Sequence, residues 1–485
     1  MKKILLLIFF IPFISFSQNI QWFKTSPYIL YEDIALDNHD GMYLLSSTHQ
    51  FVDTVFIEDT IIVNNSHQII KYDTNGVFQW ARGFNFSSLT QNIKVCIDGN
   101  VIYVYGNFNS TLEVDSNIFT SQNNTYSAFF LKYDLDGNYI ETKIIGDNIN
   151  LCFINDFYVL NSNIYLLGMA RASIQFNNTT YHVDYHSDSL LSTVVLLQID
   201  SNYNLIWGSS LYSNISGTQP LNHSLSIDKI SKKITFISDI GMSDSLFLNN
   251  QFLDTISNTF LIELKNNGDI NWIYSLNSST YRDVIHMSNE ILIATNEKII
   301  VIDSSGLFVK KHEFGSNGVG NYPPKVFRFT NDNNNCYMLG HANTDNATLN
   351  NVSIPINLNN RLFVAKYVND TIIDFNFYGS TAVYLTPLSF EMKNGSQYIS
   401  SSKLILQDSI FIVNNDTVQH SSHFLFKGNN DVILSVINYN NIGKDGVNKL
   451  IKIVDILGRE TKPQSNVPLF YIYNNGTVEK RIIVE

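Results

Sequence analysis

Charge and proline are both scarce in this chain. Only 15% of its 485 residues are Asp, Glu, Lys or Arg, and nine are Pro. Lys and Arg number 31 against 43 acidic residues, a formal net charge of -12, and no basic stripe occurs anywhere. That balance argues against a nucleic-acid partner, because phosphate binding needs clustered cations. Cysteines are few: Cys96, Cys152 and Cys336. An odd count is not a disulfide framework. Cys96 and Cys152 stand at corresponding places near the start of a repeat, which predicts equivalent buried strand thiols of low reactivity. Long apolar runs are missing beyond Ile4 to Phe16, which is too short to span a bilayer. With Met1-Lys2-Lys3 before it and Ser15 and Ser17 after it, the run predicts a signal peptide over 1–17. No transmembrane segment is expected, and the mature protein is expected outside the cell or on its outer surface. Glycine-rich phosphate loops, a nucleophile elbow and helix-borne zinc motifs are absent as well. No catalytic residue and no cofactor are therefore assigned.

Aromatic residues are plentiful, at 13%. All four tryptophans sit in one recurring segment. Lys71-Tyr72-Asp73-Thr74-Asn75-Gly76 leads to Trp80, Gln198-Ile199-Asp200 to Trp207, and Glu263-Leu264-Lys265 to Trp272. Trp22 follows Gln21 as Trp80 follows Gln79. The anchor recurs at Asp73, Asp134, Asp200, Lys265, Asp303, Val368 and Lys427. A segment that recurs along the chain in this way marks a repeat architecture.

Each unit reads as four strands. The inner ones, such as Val194-Val195-Leu196-Leu197, are apolar on both faces, as strands of a sheet covered on both sides are. The fourth alternates, as an outer strand does. Small four-stranded sheets stacked around an axis satisfy both conditions, and seven anchors predict an all-β, seven-bladed β-propeller over residues 18–436. The short gap before Asp303 predicts a blade without the inserted hairpin that other units carry. Asn19-Ile20-Gln21-Trp22-Phe23 looks like a fourth strand that precedes its blade, so it is expected to close the ring near residues 420–436. The repeats resemble bacterial propeller repeats with a Lys-Tyr-Asp-x-x-Gly-x-x-x-Trp core, found in secreted proteins. The resemblance implies fold rather than function. Their fixed place in the repeat makes Trp80, Trp207 and Trp272 packing residues, so that Trp207→Ala is expected to lower stability by roughly 3–5 kcal/mol.

After the repeats comes a polar linker at 437–446 and then a segment at 447–485 that reads as three short strands with glycine-bearing turns. Val454-Asp455-x-x-Gly458-Arg459, the Tyr471-Ile472-Tyr473 strand and Gly476-Thr477-Val478-Glu479-Lys480 resemble the C-terminal sorting domain of type IX secretion cargo in Bacteroidetes. The resemblance implies a small β-sandwich-like domain, export by the type IX machinery as partner, and cleavage with lipopolysaccharide attachment or release.

Two local patterns carry candidate chemistry. Tyr181 to Asp188 alternates strictly, so as a strand it would place His182, Asp184, His186 and Asp188 on one face, a spacing that can hold zinc or another divalent ion. The alternative is a solvated polar face. The turns at Asp73 and Asp134 look like calcium loops, but they lack the distal glutamate and fit a type I turn closed by a glycine bulge. The aromatic, Asn-rich loops suit a polysaccharide or a surface protein as ligand. The leading reading is thus a non-enzymatic binding propeller. Its rivals are an extracellular polysaccharide hydrolase or lyase, which would need convergent carboxylates in the channel, and a structural envelope component.

Overall fold

A computed structural model of the chain describes residues 20–26, 29–48, 54–57, 60–63, 65–87, 90–121, 126–145, 152–184, 193–213, 223–239, 245–254, 259–276, 281–287, 289–316, 324–332, 335–342, 347–349, 352–353, 361–368, 370–378, 383–405, 411–413, 416–418, 422–429, 450–454, 461–462, 468–473 and 478–482. The expected signal peptide and linker lie outside these residues. The chain divides into two compact units, Met1–Ser435 and Val436–Glu485. No helix occurs among the described residues.

The first unit is built from antiparallel four-stranded meanders. Their innermost strands are Ile29–Leu36, Thr90–Asp98, Cys152–Leu160, His223–Ile227, Tyr281–His286, Lys325–Asp332 and Val383–Lys393. Each packs against the next in that order, and the seventh packs against the first. This closed ring of sheets is a β-propeller, and the sheets are its blades 1 to 7. The middle strands explain the core. Thr193–Ile199 and Thr259–Leu264 are buried at every position, because a neighbouring blade covers each face. The buried side chains accordingly form layers between blades. Tyr105, Phe130 and Ile145 of blade 2 meet Ile154, Phe157 and Val195 of blade 3 in one such layer.

Ring closure follows the expected route. Ile20–Ser26 is the outer strand of blade 7 and pairs with Ser422–Asn429, with Trp22 opposite Lys427. Register corrects one anchor. Lys427 pairs with Tyr398 as Lys71 pairs with Tyr43, so Lys427 is the counterpart of Lys71, and residue 429 holds the anchor position. Blade 5 lacks the inserted hairpin, as the short spacing predicts: Glu290–Thr295 turns directly into Lys298–Asp303.

The inserted hairpins reveal a two-blade period. The hairpin Thr111–Val114 and Asn117–Thr120 belongs to blade 2 in sequence, yet it pairs with the outer strand of blade 1, Leu112 opposite Phe86. The hairpin of blade 4 adds to blade 3 in the same way, and that of blade 6 adds to blade 5. Blades 2, 4 and 6 thus cover the exposed edges of blades 1, 3 and 5.

The rim shows why the repeat has its sequence. Asp73 Oδ1 accepts the backbone N–H of Asn75 and Val77, each at 2.9 Å, and closes the turn. Asp134, Asp200 and Asp303 close theirs in the same manner. These loops are turns, and their carboxylates are spent on backbone. The glycine that follows adopts φ of +76° at Gly76 and +82° at Gly137, a region that penalises a side chain. Its bare Cα also leaves room for the preceding blade. Trp22 lies on Gly76, Trp80 on Gly137, Trp207 on Gly268 and Trp272 on Gly306, so close that an added Cβ would meet each ring within 3 Å. Lys71 Nζ meanwhile donates to Leu135 O at 2.7 Å while covering the Tyr43 ring. Lys427 does the same to Thr74 O at 3.0 Å.

The second unit is described as one antiparallel three-stranded sheet of Leu450–Val454, Pro468–Tyr473 and Val478–Ile482, with Ile453 and Leu469 buried together. Val454 ends its first strand opposite Phe470, and Val478 and Glu479 open its third. Asp455, Gly458, Arg459, Gly476 and Thr477 lie outside the described residues.

Candidate binding site in the central channel

The innermost strands place one polar side chain from each blade at the same level of the channel: Asp33, Lys94, Asp156, Ser224, Asp283, Arg328 and Ser389. A β-bulge precedes this level in most blades, for example at Glu32, Asn155, Arg282 and Phe327. The extra residue re-aims the strand and turns the next side chain inward.

Most of this ring is a continuous fastening. Asp33 Oδ2 accepts Val95 N at 2.9 Å from blade 2, and its Oδ1 accepts Ser389 Oγ at 2.8 Å from blade 7. Asp156 Oδ2 accepts Leu225 N of blade 4 at 2.9 Å, while its Oδ1 pairs with Lys94 Nζ at 2.5 Å. Asp283 Oδ2 accepts Phe329 N of blade 6 at 2.8 Å, and its Oδ1 accepts Ser224 Oγ at 2.8 Å. Each aspartate thus binds the blade after it through backbone and the blade before it through a side chain. Bonds of this charge-assisted kind contribute about 1.5–3 kcal/mol each. The three aspartates are 123 and 127 residues apart, which is the two-blade period again.

Burial raises the carboxyl pKa of Asp33 and of Asp283 despite these bonds. One level further along the strands stand Cys96, Tyr158, Ser226, Thr330 and Glu391. Thr330 Oγ1 donates to Glu391 Oε2 at 3.2 Å. Burial, and then the charge of Asp33, pushes the Glu391 carboxyl up to about 7. Glu32, on the bulge, is also pushed up to about 7, chiefly by burial. Burial pushes the Cys96 thiol up to about 12, so it is a poor nucleophile. Cys96 lies two residues after Lys94 and Cys152 four residues before Asp156, so the two are not equivalent, contrary to expectation. Cys336 is buried.

The channel residues are hidden in the sequence because successive units carry different side chains at this position. Asp, Lys, Asp, Ser, Asp, Arg, Ser looks random at that spacing and orderly only at twice it.

The histidine-rich stretch sits at the periphery. Thr180–His182 pairs with Ser173–Gln175, and the strand ends at His182. His182 is exposed and Val183 buried, with Tyr181 OH bonded to Ser210 Oγ at 2.7 Å. Asp184 is half-buried and held through its backbone, its N donating to Ser210 Oγ at 3.2 Å. His186 and Asp188 lie outside the described residues. Among the described residues no group of three or more His, Cys, Asp or Glu is placed to hold a metal. A second concavity, of about 310 Å³, opens at the rim between blades 1 and 2, lined by Arg82, Asp115, Tyr133, Asn138 and Tyr139.

No family model matches the chain, and no curated protein does. Solved structures similar to it include the WD40 domain of Neurospora crassa Pan2, at 10% identity over 72% of this chain and 90% of that one, TM-score 0.35. A catalytically inactive virginiamycin B lyase from Staphylococcus aureus, solved with quinupristin, has 8% identity over 83% and 98%, TM-score 0.40. Saccharomyces cerevisiae Sqt1 has 6% identity over 96% and 100%, TM-score 0.38. The class of the protein, a β-propeller, is defined by its own closed ring of sheets.

Proposed function

We propose that this propeller is a secreted or cell-surface protein, exported by the type IX route through its C-terminal segment, that binds a carbohydrate or protein ligand without transforming it. The observation that carries the binding reading is the state of the channel aspartates. Asp33, Asp156 and Asp283 have both carboxylate oxygens bonded to neighbouring blades. A hydrolase would need two carboxylates free to face a scissile bond. These three hold the scaffold instead. The export reading rests on the terminal motifs at 1–17 and 447–485.

A second reading has one observation in its favour. Glu391, with its carboxyl near neutrality and a channel-facing position, has the properties of a general acid. It supports a polysaccharide hydrolase or lyase in which Glu391 would donate the proton.

The test is a binding and turnover screen of the protein from Gln18 onward against plant and marine polysaccharides, with and without EDTA. Saturable binding without new reducing ends or unsaturated products is the expected result. Products lost on Glu391→Gln would instead establish the enzyme. Silence on every glycan would leave a protein partner or a structural envelope role. Sensitivity to EDTA would bring His182 and His186 back into play.

A further inference from the structure

The ring of channel side chains contains one break. In even blades the side chain at this level serves the aspartate of the following odd blade: Lys94 reaches Asp156, and Ser224 reaches Asp283. Arg328 of blade 6 is next in the series, but blade 7 offers Ser389 in place of an aspartate. Ser389 turns the other way and donates to Asp33 of blade 1. Arg328 is left with no hydrogen-bond or ion-pair partner among the described residues. Its charge still acts on Asp33, two blades ahead, and on Asp283, one blade behind. Arg328 stands opposite Leu339, directly after the bulge of blade 6, at the level of the aspartates on the innermost strands.

Arg328 is half-buried, and none of the five donors of its fork is taken by a described protein group. The fork matches a carboxylate in two parallel hydrogen bonds. The surroundings restrict what else the ligand carries. Asp33 and Asp283 spend both oxygens on neighbouring blades, and Glu391 spends one on Thr330. A second anion would be repelled by these carboxylates, whereas a ligand hydroxyl could donate to the remaining Glu391 oxygen. Lys94, the other cation at this level, is already paired with Asp156. The chain's net charge of -12 opposes an anion at long range, but salt screens that field beyond about 8 Å under physiological conditions.

We infer that Arg328 forms a lumen subsite for a single carboxylate on a polyhydroxylated ligand, which in chemical terms is a uronic acid residue of an acidic polysaccharide. The inference rests on the carbohydrate reading above and narrows it. Arg328 takes the sugar carboxylate bidentately, while Glu391, bonded to Thr330 through Oε2 alone, accepts a hydroxyl proton through its other oxygen.

Calorimetric titration of the full chain with a short oligogalacturonate, and with the same oligosaccharide methyl-esterified, tests this. The acid should bind saturably, and about tenfold or more tighter than the ester. Arg328→Gln should remove that preference, and Arg328→Lys, which keeps the charge but loses the fork, should restore only part of it. Melting curves of both variants establish that they fold, and Arg328→Lys carries the test should Arg328→Gln fail to do so. Equal affinity for acid and ester, or an unchanged preference in a folded Arg328 variant, overturns the subsite and leaves the carbohydrate reading intact. No binding of either oligosaccharide also overturns it, and the broader reading then stands or falls on the polysaccharide screen.

Discussion

The rim and the channel hold the same blades together by opposite means. At the rim, Trp22, Trp80, Trp207 and Trp272 lie flat on the turn glycine of the next blade, and the fastening is mostly apolar contact. In the channel, Asp33, Asp156 and Asp283 reach the next blade's backbone with a charged group that burial penalises. The rim stack needs no ionisable group to work. The channel ring depends on which groups carry charge. Where the rim loses its tryptophan it too becomes polar. Glu141 stands at that position in blade 2 and pairs with Lys132 at 2.6 Å, while Lys132 covers the Tyr203 ring of blade 3. In blade 5, Lys310 stands there and pairs with Asp370 of blade 6 at 2.7 Å. An apolar stack and a polar clasp are thus alternative solutions to one junction, and they should differ in strength and in response to pH.

The largest effect is expected at the ring closure. Trp22 is 8% exposed and packs on Gly76, Tyr72 and Tyr398. Trp22→Ala should cost about 3–5 kcal/mol in chemical denaturation, and about equally at pH 5 and pH 8. A loss that changes strongly between these pH values would erase the contrast between rim and channel.

A smaller effect separates the two by pH. Glu391 has a folded-state pKa of about 7, above its ordinary value, so the stability it contributes is present below the ordinary value and lost as pH rises through 7. Wild type measured against Glu391→Gln should therefore lose ground between pH 5 and pH 8, by about 1–2 kcal/mol once solvent screening is allowed for. The comparison with the variant matters because His67 and His341, each held down to about 4 chiefly by burial, act in the opposite direction on the acid side. A flat difference would mean that Glu391 keeps an ordinary carboxyl.

The smallest effect is expected at the polar clasp between blades 5 and 6. Asp370 is exposed, with φ of +67°, and its pair with Lys310 is partly solvated. Asp370→Gly relieves the backbone and loses the pair, and these terms should cancel to within about 0.5 kcal/mol in melting experiments. A loss as large as that at Trp22 would show that the clasp equals the stack.

The rim was legible in the sequence because its parts are scarce residue types at a constant spacing. Trp, the turn aspartate and its glycine recur at the same offsets in several blades, and the hydrogen bonds of the turn aspartate are local. The inner strands were legible as well, since Thr193–Ile199 is apolar without interruption. The channel was not. Its residues alternate between blades, and bulges at positions such as Glu32 and Arg282 shift the inward-facing set by one. Partner choice was equally hidden for the hairpin at 111–120, whose sequence lies within blade 2 and whose edge pairing belongs to blade 1. Nor does a single spacing show that Arg328 lacks an aspartate ahead of it. That is visible only once Ser389 has been placed beside Asp33.

The channel aspartates either hold the ring or do chemistry. Asp156 decides this most directly, because it binds Lys94 and Leu225 and lies away from Arg328 in the order of blades. Asp156→Asn should be melted, and titrated and assayed for turnover against a glycan that wild type binds. Stability should fall by about 1–3 kcal/mol, with glycan affinity unchanged and no turnover to lose. Unchanged stability together with a lost product-forming activity would contradict a holding role.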